Sequence, residues 1–531
     1  IFFSQYVMTL RQRLTRSASN PFGHLARHAS VVRRVHGAHT QTHGLHTPLG
    51  LDYLVTSYNA VKAEHSAGRE AVTYTNPCTV FCTKELNLGY ASTYGFDFDY
   101  TLAQYTPALL DLIYDMALKV LVTHKNYPMD PTLKYDPHFA IRGLHFDVKT
   151  GYLFKMDAHR TIQVDCVYAG RTKVDPNRVY ARYNGSTVSQ DYIKTNMFQL
   201  NDLFGIPEAC LIADVVQYFR DQRLVYDPYY LLEDVRDAVR TVHLDGSLHA
   251  AIAADLDTYL SPNPQLKSFL ETLNADGLNL FLLTNSHFPF VNAGMQKILG
   301  TNTDDWRSLF KAIVVKARKP KWFASHTPFR RYETSTGMAL WEKVTHFSPG
   351  DVYMAGNFTD FTAITGWQRS KVLYVGDHIV SDLEDANLRH GWQTAGIIKE
   401  VEAEVEMQNS AEYQSTLRFS QQLERLMGLA QCNPDPHVQL LKSQMKNERN
   451  EARRQLFRMA NPTFGSVFRA NQLPSFFCDK AISLCHLYTS QVENLGLYPR
   501  QYTFYPGRVY LQHETPVTLP NFTQTTPTNT P

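Results

Sequence analysis

Short unbroken apolar runs alternate with stretches of helical period through the middle of the chain. The first run climbs to Asp97 within GFDFDYTLAQY (95–105) and predicts a strand over 93–104 that ends in a turn. After it, TPALLDLIYDMALKVLVTH (106–124) sets Leu109, Leu112, Ile113, Met116, Val120 and Leu121 at helical spacing, an amphipathic helix. Further apolar runs, LNLFLLTNS (278–286), FKAIVVKARKP (310–320) and KVLYVGD (371–377), predict strands that close on polar residues, and another strand is expected over Thr394–Ile398. Strand, turn and helix in that order predict an α/β fold built on a Rossmann-like, doubly wound parallel sheet. Such sheets bind ligands outside the carboxyl ends of their strands.

The alternation is interrupted in two places. Between about 140 and 230, strand-like runs with turns at Lys149–Gly151 and Ala158–Arg160 precede the apolar pattern around DLFGIPEACLIADVVQYF, which reads as an inserted α+β unit. LLEDVRDAVRTVHLDGSLH (231–249) predicts one helix, with Val235, Val239 and Val242 on one face and Arg236, Arg240 and His243 on another. The basic stripe taken alone is a solvated face. Residues 399–460 are charged and helical without a sustained heptad, and 462–515 are rich in aromatics. The expected layout is a core from 51–104 and 250–400, an insertion over 105–249, an extension packing on the core over 401–515, and a polar tail over 516–531.

Composition changes the picture at one end only. The net charge of +2 gives no bulk electrostatic case for nucleic acid, and no apolar run approaches a membrane span. The chain has seven cysteines; Cys78 and Cys82 form a lone CxxxC, read as reduced thiols rather than a zinc site. Residues 1–51 hold no acid but six arginines: Arg11, Arg13, Arg16, Arg27, Arg33 and Arg34. That bias predicts a disordered mitochondrial transit peptide over about 1–50, with a cytoplasmic protein bearing a basic arm as the alternative.

The chemistry lies at the strand ends. Asp97 and Asp99, spaced i and i+2, point to one side of an extended chain and can reach one phosphate and one hard cation. Asp377 and Asp382 (GDxxxxD) bring two more carboxylates to the same edge, and such a group repels itself unless a cation sits there. Mg2+ suits an all-oxygen site shared with phosphate. Thr284 and Asn285 end a strand where a hydroxyl and an amide can hold phosphoryl oxygens.

The order DxDxT, TNS, RKP, GDxxxxD resembles the haloacid dehalogenase superfamily of phosphohydrolases. The wording FDFDYTLAQY is similar to the cytosolic purine 5'-nucleotidases and their relatives, the 5'-nucleotidase domain-containing proteins. The resemblance implies a haloacid dehalogenase-like core with a cap. It also implies Asp97 as nucleophile, Asp99 as general acid and base, and Lys319 neutralising nucleophile and phosphate. Metal would be held by Asp97, Asp99 (through its carbonyl), Asp377 and Asp382. Asn201, Phe204, Arg236 and His243 match the family's nucleotide-reading positions, while Gly205, Arg240 and His249 replace an amide, an acid and a basic residue there. A site whose polar partners change discriminates differently. The expected partner is a nucleotide or another small phosphomonoester, and a homo-oligomer is compatible with the pattern. The rival readings are an interaction protein on a nucleotidase scaffold and a nucleoside phosphotransferase.

Overall fold

A computed structural model describes residues 50–67, 73–301 and 304–509. The expected transit peptide (apart from its last residue) and the polar tail lie outside them.

One ten-stranded sheet organises the chain. In chain order its strands are β1 (Phe81–Cys82), β2 (Thr93–Phe96), β3 (Asn279–Leu283), β4 (Ala312–Val315), β5 (Phe329–Glu333), β6 (Met338–Ala339), β7 (Val352–Ala355), β8 (Val372–Gly376), β9 (Gln393–Ile397) and β10 (Leu487–Thr489). Their order across the sheet is β1-β10-β9-β8-β2-β3-β4-β7-β5-β6. From β10 to β7 every pairing is parallel; β1, β5 and β6 close the two edges antiparallel. This is the doubly wound, mostly parallel sheet that the apolar runs predicted. β2, β4 and β8 are buried throughout, as strands covered on both faces must be, which explains their unbroken apolar wording. The chain leaves β2 towards β3 on one side and returns through β8 on the other, so the crevice lies at the carboxyl ends of β2 and β8. Gly95 lets the sheet close there: a Cβ on it would stand 2.0 Å from the Phe281 ring of β3.

The helix after β2 spans Ala108–Thr123. Leu109, Ile113 and Leu121 are buried, Leu112, Met116 and Val120 are half-buried against the same cluster, and Tyr114, Ala117 and Leu118 widen the stripe. It packs against the helices Gly205–Asp221 and Pro228–Leu244. The insertion also carries its own antiparallel sheet, centred on Leu144–Asp147 between Tyr152–Phe154 and Met197–Leu200. The single helix expected over 231–249 is two. The first ends at Leu244, Gly246 takes φ +81°, and the second starts at Ser247, whose N–H is accepted by the Asp245 carboxylate. The Asp-Gly-Ser sequence supplies a left-handed residue and a cap, which outweigh the continuing apolar period.

The charged helices Ala411–Leu429 and Pro436–Ala460 pack with a third, Leu51–Ala67, through Tyr58, Phe419, Leu423 and Met445. Glu448 ties them, accepting from Tyr58 Oη at 2.6 Å and Lys62 Nζ at 3.0 Å. The aromatic region does more than pack on the core: its strand β10 pairs in parallel with β9 and belongs to the sheet. Among the described residues no helix is long and apolar enough to cross a membrane. Cys78 and Cys82 are free thiols.

Candidate active site

Asp97 directly follows β2, and its N–H still donates to Val375 of β8 at 2.9 Å. Its carboxylate faces Lys319, whose Nζ lies 2.7 Å from Asp97 Oδ1 and 2.7 Å from Asp382 Oδ1. Lys319 is held at both ends. Asn285 brackets its backbone, accepting from the Lys319 N–H at 2.6 Å and donating to its carbonyl at 3.2 Å. Its ammonium also donates to the Tyr374 hydroxyl at 3.1 Å, and that hydroxyl donates onward to the Leu283 carbonyl. The Asn285 side chain, expected on phosphate, is thus engaged in placing the lysine.

Asp99 is turned away from this group. Its Oδ1 accepts from Tyr105 Oη at 2.6 Å and its Oδ2 from Ser286 Oγ at 2.6 Å. Ser286 is fixed in turn, since its N–H donates to Thr284 Oγ1 at 3.0 Å. Tyr105 and Ser286 were not singled out in the sequence, where single hydroxyls give no signal of their partners. Thr284 is fully buried at the end of β3, beside Lys319's loop.

Asp97, Asp377 and Asp382 form the one metal-competent group of three among the described residues, with ligand atoms within 4.8 Å of one another and all buried. Burial raises the Asp97 carboxyl to about 7, with Lys319 pulling against it and Asp382 and Asp99 adding to it. Burial and the Asp382 and Asp97 charges push Asp377 well above the carboxylate range. Burial works against the Lys319 ammonium, and the Asp382 and Asp97 carboxylates override it. One cation against three carboxylates leaves the cluster short of positive charge. Asp97 Oδ1 and Asp382 Oδ1 are buried and share the one Lys319 ammonium, with no other donor on either. Buried oxygens left this way fit a hard divalent cation. The carboxylate of Asp99 is outside this group. Gly376 makes the arrangement sterically feasible, because a Cβ there would stand 2.7 Å from Asp382 Cβ.

Two basic residues outside the cluster reach its backbone and that of Tyr105. Arg142, in the insertion, is 1% exposed. It grips Glu400 through Nε at 3.0 Å and Nη2 at 2.5 Å, and its Nη1 points to the Asp377 carbonyl at 3.4 Å. Lys399 donates to the carbonyl of Tyr105 at 3.0 Å. A charged residue inside the apolar run FAIRGLHF was the available sign of Arg142.

Of the positions expected to read a nucleotide, Phe204 and His243 meet. The Phe204 ring lies 4.9 Å from Tyr100, 5.4 Å from His243 and 6.3 Å from Tyr105. His243 Nδ1 pairs with the Val239 carbonyl, which leaves Nε2 buried without a partner, as is Asn201 Oδ1. Arg236 stands at the margin, 4.0 Å over Phe198 and 3.8 Å from Glu208. Burial lifts the Glu208 carboxyl to about 8, Asp202 adding to the effect and Arg236 opposing it. Arg240 is exposed, whereas His249 turns inward against Phe290 at 4.5 Å. Gly205 donates its N–H to Asp202.

Comparison with known proteins agrees with this geometry. A model of the 5' nucleotidase family matches residues 80–516. A 5'-nucleotidase domain-containing protein of Dictyostelium discoideum is 38% identical over 478 residues, covering 89% of this chain and 80% of its own length. The 5'-nucleotidase domain-containing protein 2 of Homo sapiens is 36% identical over 84% of this chain and 87% of its own. That of Rattus norvegicus is 36% identical over 84% and 82%. A crystal structure of a predicted phosphoglycolate phosphatase from Haemophilus somnus aligns with 58% of this chain and 85% of its own at 14% identity and a TM-score of 0.23, too loose to bear on the fold. On the family match and these relatives, the chain belongs to the 5' nucleotidase family of phosphomonoester hydrolases.

Proposed function

We propose that the chain hydrolyses a nucleoside 5'-monophosphate, with Mg2+, through an aspartyl-phosphate on Asp97. The observation that carries this reading is the convergence of Lys319 on Asp97 and Asp382 at the end of β2, with Asp99 held apart by its own donors. The Asp97 carboxylate attacks phosphorus, and the bond from phosphorus to the ester oxygen breaks. Asp99 gives a proton to that leaving oxygen, then takes one from the water that attacks the acyl-phosphate, releasing inorganic phosphate and restoring Asp97. Tyr105 and Ser286 keep the Asp99 carboxylate aimed while the proton moves. Lys319 and the hydroxyl of Thr284 hold charge on the phosphoryl oxygens, where positioning and electrostatics supply most of the rate. Asp97, Asp377, Asp382 and the Asp99 carbonyl would hold Mg2+, which when bound offsets the charge of nucleophile and phosphate.

A nucleoside is favoured over a smaller alcohol because of Phe204, flanked by Tyr100 and His243, and the buried, unpartnered His243 Nε2 and Asn201 Oδ1. An aromatic wall with orphaned polar atoms suits a flat heterocycle. Arg240 and His249 argue for a base preference other than that of the purine enzymes. The test is phosphate release from a panel of ribo- and deoxyribonucleoside monophosphates, with p-nitrophenyl phosphate as a generic ester. Turnover that needs Mg2+ and vanishes in a folded Asp97→Asn variant is expected. Silence across the panel with every divalent cation tried would sink the proposal. The acid-free, arginine-bearing residues 1–51 further support a mitochondrial address, which import assays with and without residues 1–50 would test.

A further inference from the structure

Between the extension and strand β1 lies a cavity of about 560 Å3, none of whose lining residues takes part in the proposed reaction. Its floor is the stacked pair Phe81 and Tyr488, ring centroids 5.2 Å apart, on the neighbouring strands β1 and β10. One wall is the helix Glu400–Asn409, through Val401, Glu404 and Val405; Tyr413 and Phe468 supply others. Arg469 stands at the edge, exposed and with no ion pair within 4 Å among the described residues. The rim is pinned in place. Asn409 accepts from the Thr75 N–H at 2.8 Å and donates to the Thr75 carbonyl at 2.7 Å. Gln414 does the same for Thr73, at 2.9 and 2.6 Å. These amides replace the partners a strand would give, so the opening exists before any ligand arrives.

The helix that walls the cavity also reaches the catalytic acids. At its start Glu400 holds Arg142, whose Nη1 points to the Asp377 carbonyl. The residue before it, Lys399, holds the Tyr105 carbonyl, and Tyr105 holds Asp99. A ten-residue helix is about 15 Å long.

We infer that this cavity is a second ligand site, for an aromatic monoanion, and that its occupancy is transmitted by the helix Glu400–Asn409 to the segments carrying Asp99 and Asp377. The volume falls in the range of small-molecule sites, roughly 300–1,000 Å3, and the aromatic lining with a cation at the rim sets the chemistry. Burial raises the Glu404 carboxyl inside, which fits a ligand whose negative charge stays at the Arg469 end. A ligand couples two sites only through an element both of them bias; this helix lines the cavity and reaches the acids through Arg142 and the adjoining Lys399.

The probe is 8-anilinonaphthalene-1-sulfonate with the full chain, read by fluorescence and by hydrogen–deuterium exchange. One saturable site is expected, weakened at least tenfold by Val405→Trp, which fills the cavity, and by Arg469→Gln on the exposed rim. Slower exchange is expected over 399–409 and over 97–105 and 376–384. Binding that survives Arg469→Gln and Val405→Trp unchanged would overturn the site. Protection confined to the cavity lining, with none over 97–105 or 376–384, would overturn the coupling. Neither readout uses turnover, so a failure of the nucleotidase reading would leave both results standing.

Discussion

The phenolic hydroxyl of Tyr105 donates to Asp99 Oδ1 at 2.6 Å, and both residues lie on the turn that leaves β2. Ser286 holds the other oxygen, so the aim of the carboxylate proposed to move the proton rests on these two hydroxyls, and the buried phenol fixes Oδ1. Hydrogen bonds to charged groups contribute about 1.5–3 kcal/mol. Tyr105→Phe is therefore expected to lower kcat roughly ten- to hundredfold while leaving KM nearly unchanged. Steady-state kinetics on p-nitrophenyl phosphate checks this; an unchanged kcat would remove Tyr105 from the mechanism.

The cluster Asp97, Asp377 and Asp382 has one cation, Lys319, in contact with two of its three members. Mg2+ should raise thermal stability, by about 2.7 kcal/mol at a hundredfold excess over its Kd. Asp377→Asn should abolish most of that gain and make the metal-free protein more stable, since burial and the neighbouring acids oppose ionisation of Asp377 in the folded chain. Melting curves with and without Mg2+ give both signs.

Gly376→Ala places a methyl carbon 2.7 Å from Asp382 Cβ and 2.8 Å from its Oδ2. Overpacking of this kind costs about 1–3 kcal/mol. The relief is for Asp382 to retreat from Lys319, so the variant should need more Mg2+ for half-maximal turnover than the parent. A urea melt and a Mg2+ titration read the two effects separately.

His145 is fully buried between Phe154 and Phe476, with no hydrogen-bond partner on either ring nitrogen. Burial, with a smaller push from Lys480, lowers it to about 3. Its folded value lies below the unfolded one, near 6.5, so the unfolded chain binds the extra proton between them. Stability from this group is full above about pH 6.5 and falls on acidification, by roughly 3 kcal/mol at pH 4. His145→Phe should lose this component, so its advantage over the parent grows as the pH drops from 7 to 5. A constant difference in denaturation midpoint across that range would contradict it.

The residues at strand ends were legible in the sequence because a buried parallel strand is an unbroken apolar run and its last polar residue marks the crevice. Asp97, Thr284 and Asp377 all stand at such ends, Asp382 followed from its spacing after Asp377, and Lys319 came from the resemblance of its RKP wording to the family's. What the pattern could not show is which side chains face one another across the chain. Asn285 belongs to Lys319, and Arg142 to Glu400, through contacts between distant residues that carry no local periodicity. β10 was missed for another reason: Leu487–Thr489 is three residues long, too short to register a period, and it gains strand form only by pairing with β9. The break at Gly246 was written in the sequence, and the valine spacing hid it.

That late strand governs how the protein can be made and cut. During synthesis β9 leaves the ribosome long before β10, and until β10 arrives it presents an unpaired edge rich in backbone donors and acceptors. The sheet is sealed only once β10 has been made, by a pairing of high sequence separation that forms slowly. Trimming the chain before Leu487 to isolate the nucleotidase core would leave that edge open permanently, and the expected product is an aggregating fragment rather than a smaller enzyme.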